Sequence, residues 1–237
     1  MTSIGLFFTG TDTGVGKTFV TAAVTRLLRQ QGRNFGVCKP VATGAGWVAG
    51  KWVSEDTLCL ARAAGIPDGL EQVTPWTFPD PVAPPVAAQR QGVRLHLEDL
   101  VRAVRGQQGE GKALLVEGVG GWLCPLTERE TVADLAAALG LPVVVVARRS
   151  LGTLNHTLLT LEAVRTRGLS VAGVVVNETS PPQSLAEATN VEELRRRMDV
   201  PLLAVVPFQA EAGSREVPSL ARVDWWRLCH GNHRPPM

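Results

Sequence analysis

The chain has 237 residues, a formal net charge of +2 and 45% hydrophobic residues. That length allows one large α/β domain or two small ones, and that apolar content can fill a core. The near balance of charge gives no reason to expect nucleic acid or an acidic membrane as a partner.

The opening apolar run is too short for a secretory signal and lacks a basic leader. The longest later run, 139–147, is broken by Gly140 and Pro142 and is too short to span a bilayer. Cys38, Cys59, Cys124 and Cys229 show no metal-type or redox-type spacing. Scattered thiols of this kind suggest a reducing cytoplasm. There is no internal repeat.

The first predicted element is a buried strand over residues 4–8. A helix follows over 19–28, with Val20, Val24, Leu27 and Leu28 on one face. Between them lies Gly10-Thr11-Asp12-Thr13-Gly14-Val15-Gly16-Lys17-Thr18. Glycines where a strand turns into a helix let backbone N–H groups close around an anion. Lys17 then bridges the β- and γ-phosphates of a nucleotide, and the Thr18 hydroxyl serves Mg²⁺. The first glycine is one residue early for the usual spacing, at Gly10 rather than at Thr11.

A second strand, 35–38, ends at Lys39-Pro40, with Thr43 and Gly44 beyond it. Lys39 reads equally as a solvated charge or as a functional one. Residues 44–53 read as a loop. A helix over 54–64 has Ser54 as N-cap and Asp56 in its first turn, where dipole compensation is the plainer reading. The proline-rich stretch 66–85 reads as an ordered loop, because it carries Trp76 and Phe78. A helix over 97–104 follows.

Residues 113–116 form a clear buried strand, ended by Glu117-Gly118-Val119-Gly120-Gly121. An acid there is the expected second Mg²⁺-side group in a chain with a phosphate loop. A helix face over 132–139 stops at Gly140. The unbroken apolar strand 142–147 suits a parallel sheet covered on both faces. A helix then opens near Gly152, with Asn155 and His156 in its first turn. A strand over 171–176 ends at Asn177-Glu178. A helix over 187–198 leads to a strand over 202–206, ended by Pro207-Phe208. Strand and helix alternate throughout. That predicts an α/β fold of one domain, with a mostly parallel, doubly wound sheet and helices on both faces. The tail from about 213 reads as peripheral, with Trp225 and Trp226 able to pack on the domain.

Taken together, these residues resemble the dethiobiotin synthetases. The resemblance covers about residues 4–209. It rests on Thr9 to Thr13 with Val15 to Thr18, on Lys39 to Ala42, on Val116 to Gly118 with Gly120 to Trp122, on Leu151-Gly152 with Asn155-His156, and on Val176-Asn177. The early first glycine is what that family's loop looks like.

The resemblance implies a P-loop fold and an ATP-dependent ring closure of 7,8-diaminononanoate with CO₂. It implies Mg²⁺ held by Thr18, Asp56 and Glu117, and catalytic roles for Lys17 and Lys39. It implies a nucleotide seated on Gly14, Val15, Gly16, Lys17, Thr18 and Phe19, and on Gly118, Val119 and Gly120. Asn177, Glu178, Pro207, Phe208 and Gln209 would hold the base. Thr13 and Thr43 would bind the diamine. Gly152 and Asn155 would reach it from a neighbouring subunit, which implies a homodimer. Asp12 is expected only to shape the loop.

A nucleotide-switched ATPase of the chromosome-partitioning or nitrogenase iron-protein type is the competing reading. Those proteins carry a lysine where this chain has Asp12. Amide-forming synthetases of cobalamin assembly also compete, but usually add a glutamine-hydrolysing domain for which this chain has no room.

Overall fold

The computed structural model describes residues 4–181, 184–208 and 217–231. In chain order its elements are β1 (Gly5–Gly10), α1 (Lys17–Gln30), β2 (Phe35–Cys38), β3 (Val41–Ala42), β4 (Gly46–Val48), β5 (Lys51–Val53), α2 (Glu55–Ala64), α3 (Leu70–Val73), β6 (Trp76–Thr77) and α4 (Pro84–Arg90). Then come α5 (Leu97–Arg105), β7 (Ala113–Glu117), α6 (Val132–Leu139), β8 (Val143–Arg148), α7 (Thr153–Thr166), β9 (Val171–Asn177), α8 (Leu185–Arg197), β10 (Leu202–Val206), α9 (Pro218–Ala221) and α10 (Trp225–Cys229).

Six strands make one sheet in the order β10-β9-β8-β1-β7-β2. Every pairing in it is parallel. Parallel strands need crossovers, and the helices supply them on both faces. Alternate side chains of β1 therefore enter two different cores. Phe7 joins a cluster with Val116, Leu135 and Val145, under α5, α6 and α7. Leu6 and Phe8 join the other, with Val20, Val24, Leu60 and Val146, under α1 and α2. The burial of β1, β7 and nearly all of β8 explains why the sequence shows unbroken apolar runs there rather than alternation.

Three expectations need correction. Residues 44–53 contain the hairpin β4–β5, paired antiparallel with Trp47 opposite Trp52. Ala49 and Gly50 turn it with positive φ, a turn that Ala-Gly does not advertise. The stretch 66–85 contains α3, β6 and the start of α4, where Pro84 occupies a first-turn position that needs no N–H. The C-terminal stretch is less peripheral than expected. Val217, Leu220, Trp225, Leu228 and Cys229 are part of the α1-side core, and Trp225 packs on Phe8 with ring centroids 6.2 Å apart.

All four cysteines are free. Burial pushes the Cys38 and Cys229 thiols up to about 12, so they behave as small apolar side chains.

Candidate active site

In a parallel sheet the loops that bind ligands leave the carboxyl ends of the strands. β1 leads into the glycine loop, β2 into Lys39, β7 into Glu117, β9 into Asn177 and β10 into Pro207. β1 lies between β7 and β8. The phosphate loop therefore emerges at mid-sheet, with the Glu117 strand beside it.

The loop's geometry explains its glycines. Gly16, the N-cap of α1, has φ +90°, a left-handed value that L side chains rarely adopt. A Cβ there would also lie 2.1 Å from Asn177 Nδ2. A Cβ on Gly10 would lie 2.9 Å from Lys17 Nζ. The early glycine thus makes room for the lysine to fold back over its own loop, where Nζ donates to the Asp12 carbonyl at 3.1 Å. Asp12 shapes the loop as expected: its Oδ1 accepts from the Thr13 N–H at 2.7 Å.

Lys17, Lys39 and Glu117 are all buried. Lys39 Nζ donates to Glu117 Oε1 at 2.7 Å and to Asp56 Oδ2 in a short contact. The Thr18 hydroxyl donates to the same Glu117 oxygen at 2.7 Å. Asp56 reaches this cluster because Ser54 caps α2 and accepts from the Thr57 N–H at 3.1 Å, which sets the helix's first turn toward β2. Its sequence position thus serves more than dipole compensation.

Burial works against the charge of Lys39, but Glu117 and Asp56 outweigh it and hold the ammonium above its ordinary 10.5. Burial pulls Lys17 below the same value. Glu117 opposes that shift and Lys39 adds to it. For Asp56, burial favours the neutral acid, but Lys39 prevails and the carboxyl is held below its ordinary 3.8. Lys39 and Asp56 thus each favour the other's charged form.

A cavity of about 310 Å³ opens over these groups. Thr13, Gly14, Gly16, Lys17, Thr18, Lys39, Thr43, Asp56, Val119 and Gly120 line it. A second pocket of about 220 Å³ is lined by Phe19, Asn177, Glu178, Thr179, Pro207 and Phe208. Asn177 joins the two, since its Nδ2 donates to the Val15 carbonyl at 3.0 Å. That bond commits one of the two amide N–H donors and fixes the orientation of the amide oxygen, an acceptor.

The AAA domain family matches residues 4–215. The ATP-dependent dethiobiotin synthetase of Aromatoleum aromaticum is 42% identical over 217 residues, which is 92% of this chain and 96% of that one. The chain belongs to the dethiobiotin synthetase family. Synthetases of the same name from Anaeromyxobacter dehalogenans strain 2CP-C and Bacillus licheniformis are 46% and 40% identical, over 89% and 90% of this chain and 93% and 89% of theirs. Among solved structures, cobyrinic acid a,c-diamide synthase from Mycobacterium smegmatis, with an ATP analogue and magnesium bound, is similar with a TM-score of 0.55 at 17% identity. It covers 99% of both chains. The MinC:MinD cell division complex of Aquifex aeolicus gives 0.54 at 14% identity, over 99% of this chain and 98% of that one. At such identities these two carry the P-loop fold alone.

Most sequence-predicted residues of this dethiobiotin synthetase family member converge on the two pockets. Gly118 lies behind them: a Cβ there would meet Val132 Cγ1 at 2.8 Å. Gly152 and Asn155 line neither pocket. Gly152 is the N-cap of α7, and Asn155 is exposed on its first turn. Gln209 lies outside the described residues. Thr179 was missed, although its place directly after Asn177-Glu178 at a strand end was the available signal.

Proposed function

We propose that the chain acts as an ATP-dependent dethiobiotin synthetase in the cytoplasm, forming the cyclic urea of dethiobiotin from 7,8-diaminononanoate and CO₂. Family membership supports the activity. The observation that carries the site assignment is the cluster of Lys17, Lys39, Thr18, Asp56 and Glu117 around one cavity.

One amine of the substrate takes up CO₂ to give a carbamate. The γ-phosphoryl group of ATP moves to a carbamate oxygen, giving a mixed anhydride and ADP. The second amine attacks the carbonyl carbon, the C–O bond to phosphate breaks, and the ring closes. Phosphorylation is needed because a carbamate oxygen is a poor leaving group. The protein's contribution is positioning and charge stabilisation. Lys17 folds over the loop where β- and γ-phosphates fit. Lys39, just past the end of β2, stabilises the carbamate and the transferring phosphoryl group. Thr13 and Thr43 offer hydroxyls to the diamine from the cavity wall.

The family's cation is Mg²⁺, and the residues fit it. Glu117 Oε2 is buried, and among the described residues no hydrogen-bond donor reaches it. Thr18 and Asp56 supply further hard oxygens beside it. Two carboxylates and a hydroxyl make a sparse set, which suits a cation that keeps waters and phosphate oxygens. Bound there, Mg²⁺ would neutralise charge on the β- and γ-phosphates. In the second pocket, the Asn177 amide oxygen suits a base that offers an amino group, as adenine does.

The test is phosphate release with ATP, Mg²⁺ and bicarbonate, with and without the diamine. Release is expected only with the diamine; equal release without it would sink the assignment. Lys39→Gln should fold and lose about 10²–10³-fold in kcat, the usual effect of removing a charge-stabilising donor. Unchanged turnover would remove Lys39 from its role.

A further inference from the structure

The base pocket is braced by a residue that does not line it. Glu178 lines that pocket, and only 9% of its side chain is exposed. Its Oε2 accepts from the Phe208 N–H at 3.0 Å. Its own N–H donates to the Val206 carbonyl at 2.9 Å. Its Oε1 is held by the Arg149 guanidinium in a short ion pair. Arg149 follows β8 directly. Its backbone N–H donates to the Asn177 carbonyl at 2.9 Å. Its Nε and Nη2 donate to the carbonyls of Glu187 and Ala188, at 2.6 and 3.4 Å.

Arg149, directly and through Glu178, thus ties the ends of β8, β9 and β10 to the first turn of α8. Arg149 itself is not among the residues that line the pocket. We propose that Arg149 is a positioning residue for the nucleotide base: it neutralises Glu178 and fixes the carboxylate that sets Phe208 and the β9–β10 rim. This rests on the reading of the Asn177 pocket as the base site.

The physical reason is the cost of an unpaired buried charge. Without Arg149, the Glu178 carboxylate would lack its partner beside the base and would turn toward water. Phe208 would lose its acceptor, and the rim would open. Lysine is a poor replacement. Its single ammonium cannot serve Glu178 and the α8 carbonyls together, as the planar guanidinium does.

The experiment measures KM for ATP and for the diamine separately, together with kcat, and titrates a non-hydrolysable ATP analogue calorimetrically. In Arg149→Met, KM for ATP is expected to rise about tenfold, with kcat and the diamine KM within about twofold, the pattern of lost uniform binding. Arg149→Lys should recover part of the affinity. The double variant Arg149→Met with Glu178→Gln should recover more, because a neutral amide needs no counter-charge. A fall in melting temperature with ATP affinity unmoved would overturn the proposal, as would an equal rise in both KM values. If Arg149→Met does not fold, Arg149→Lys and Glu178→Gln carry the same comparison. Asn177→Ala run in parallel separates the two readings. If it weakens ATP while the Arg149 variants do not, only the brace fails. If it leaves ATP affinity unchanged, the base-pocket reading itself fails.

Discussion

Gly16 shows how much a single missing Cβ can decide. Its φ of +90° alone would cost an L residue about 1–2 kcal/mol. A methyl there would also meet Asn177 Nδ2 at 2.1 Å. Asn177 is fixed at the end of a buried strand, so it has little freedom to yield. Gly16→Ala should therefore damage two things at once, the turn that opens α1 and the Asn177 amide that joins the two pockets. Stability in a denaturant titration should drop by at least the backbone cost, and ATP affinity by about tenfold, or roughly 1.4 kcal/mol. A variant with wild-type ATP affinity would show that Asn177 can shift without consequence. The need for glycine here was legible from residue types alone. Its second cause was not, because Gly16 and Asn177 stand 161 positions apart in the chain. The same holds for Lys39: sequence left it between a solvated charge and a functional one, and only its burial against Glu117 and Asp56 separates the two readings.

Elements were legible where burial on both faces makes a strand apolar throughout, or where caps mark a helix. They were not legible at the hairpin β4–β5, whose residues Trp47 and Trp52 stack edge-on in an exposed pair and obey no core pattern. The α6 helix illustrates a cap whose energy can be measured. Asp134 Oδ2 accepts from the Thr131 N–H and hydroxyl, each at 2.7 Å, and Oδ1 pairs with Arg167 just past the end of α7. Burial favours the neutral acid, but those donors outweigh it and hold the carboxyl below its ordinary 3.8. A group whose folded value is depressed adds stability above its unfolded value and loses it as pH falls through the folded one. Asp134→Asn should therefore cost about 1 kcal/mol at pH 7. The gap between variant and wild type should close as the pH falls below 3.8. Urea titrations at neutral and acid pH give the comparison. A gap that stays constant with pH would mean the carboxylate's charge contributes nothing to the cap.

At the scale of the whole molecule, two of the expected residues that line neither pocket become informative. Gly152 and Asn155 sit where β8 gives way to α7, and Leu151 and Leu159 beside them are 83% and 56% exposed. Asn155 and Leu159 are one helical turn apart and so share a face. An apolar, exposed face that carries two expected substrate residues fits a symmetric pair of subunits, each completing the other's site. Two inactive variants can test this. In a hybrid dimer of Lys39→Gln with Asn155→Ala, one site has both defects and the other has neither, provided Asn155 serves across the interface. Random mixing makes half the dimers hybrid, and each hybrid has one intact site of two. Co-expressed subunits should therefore recover about a quarter of wild-type turnover. Were Asn155 to act within its own subunit, every site would carry one defect or the other, and mixing would restore nothing.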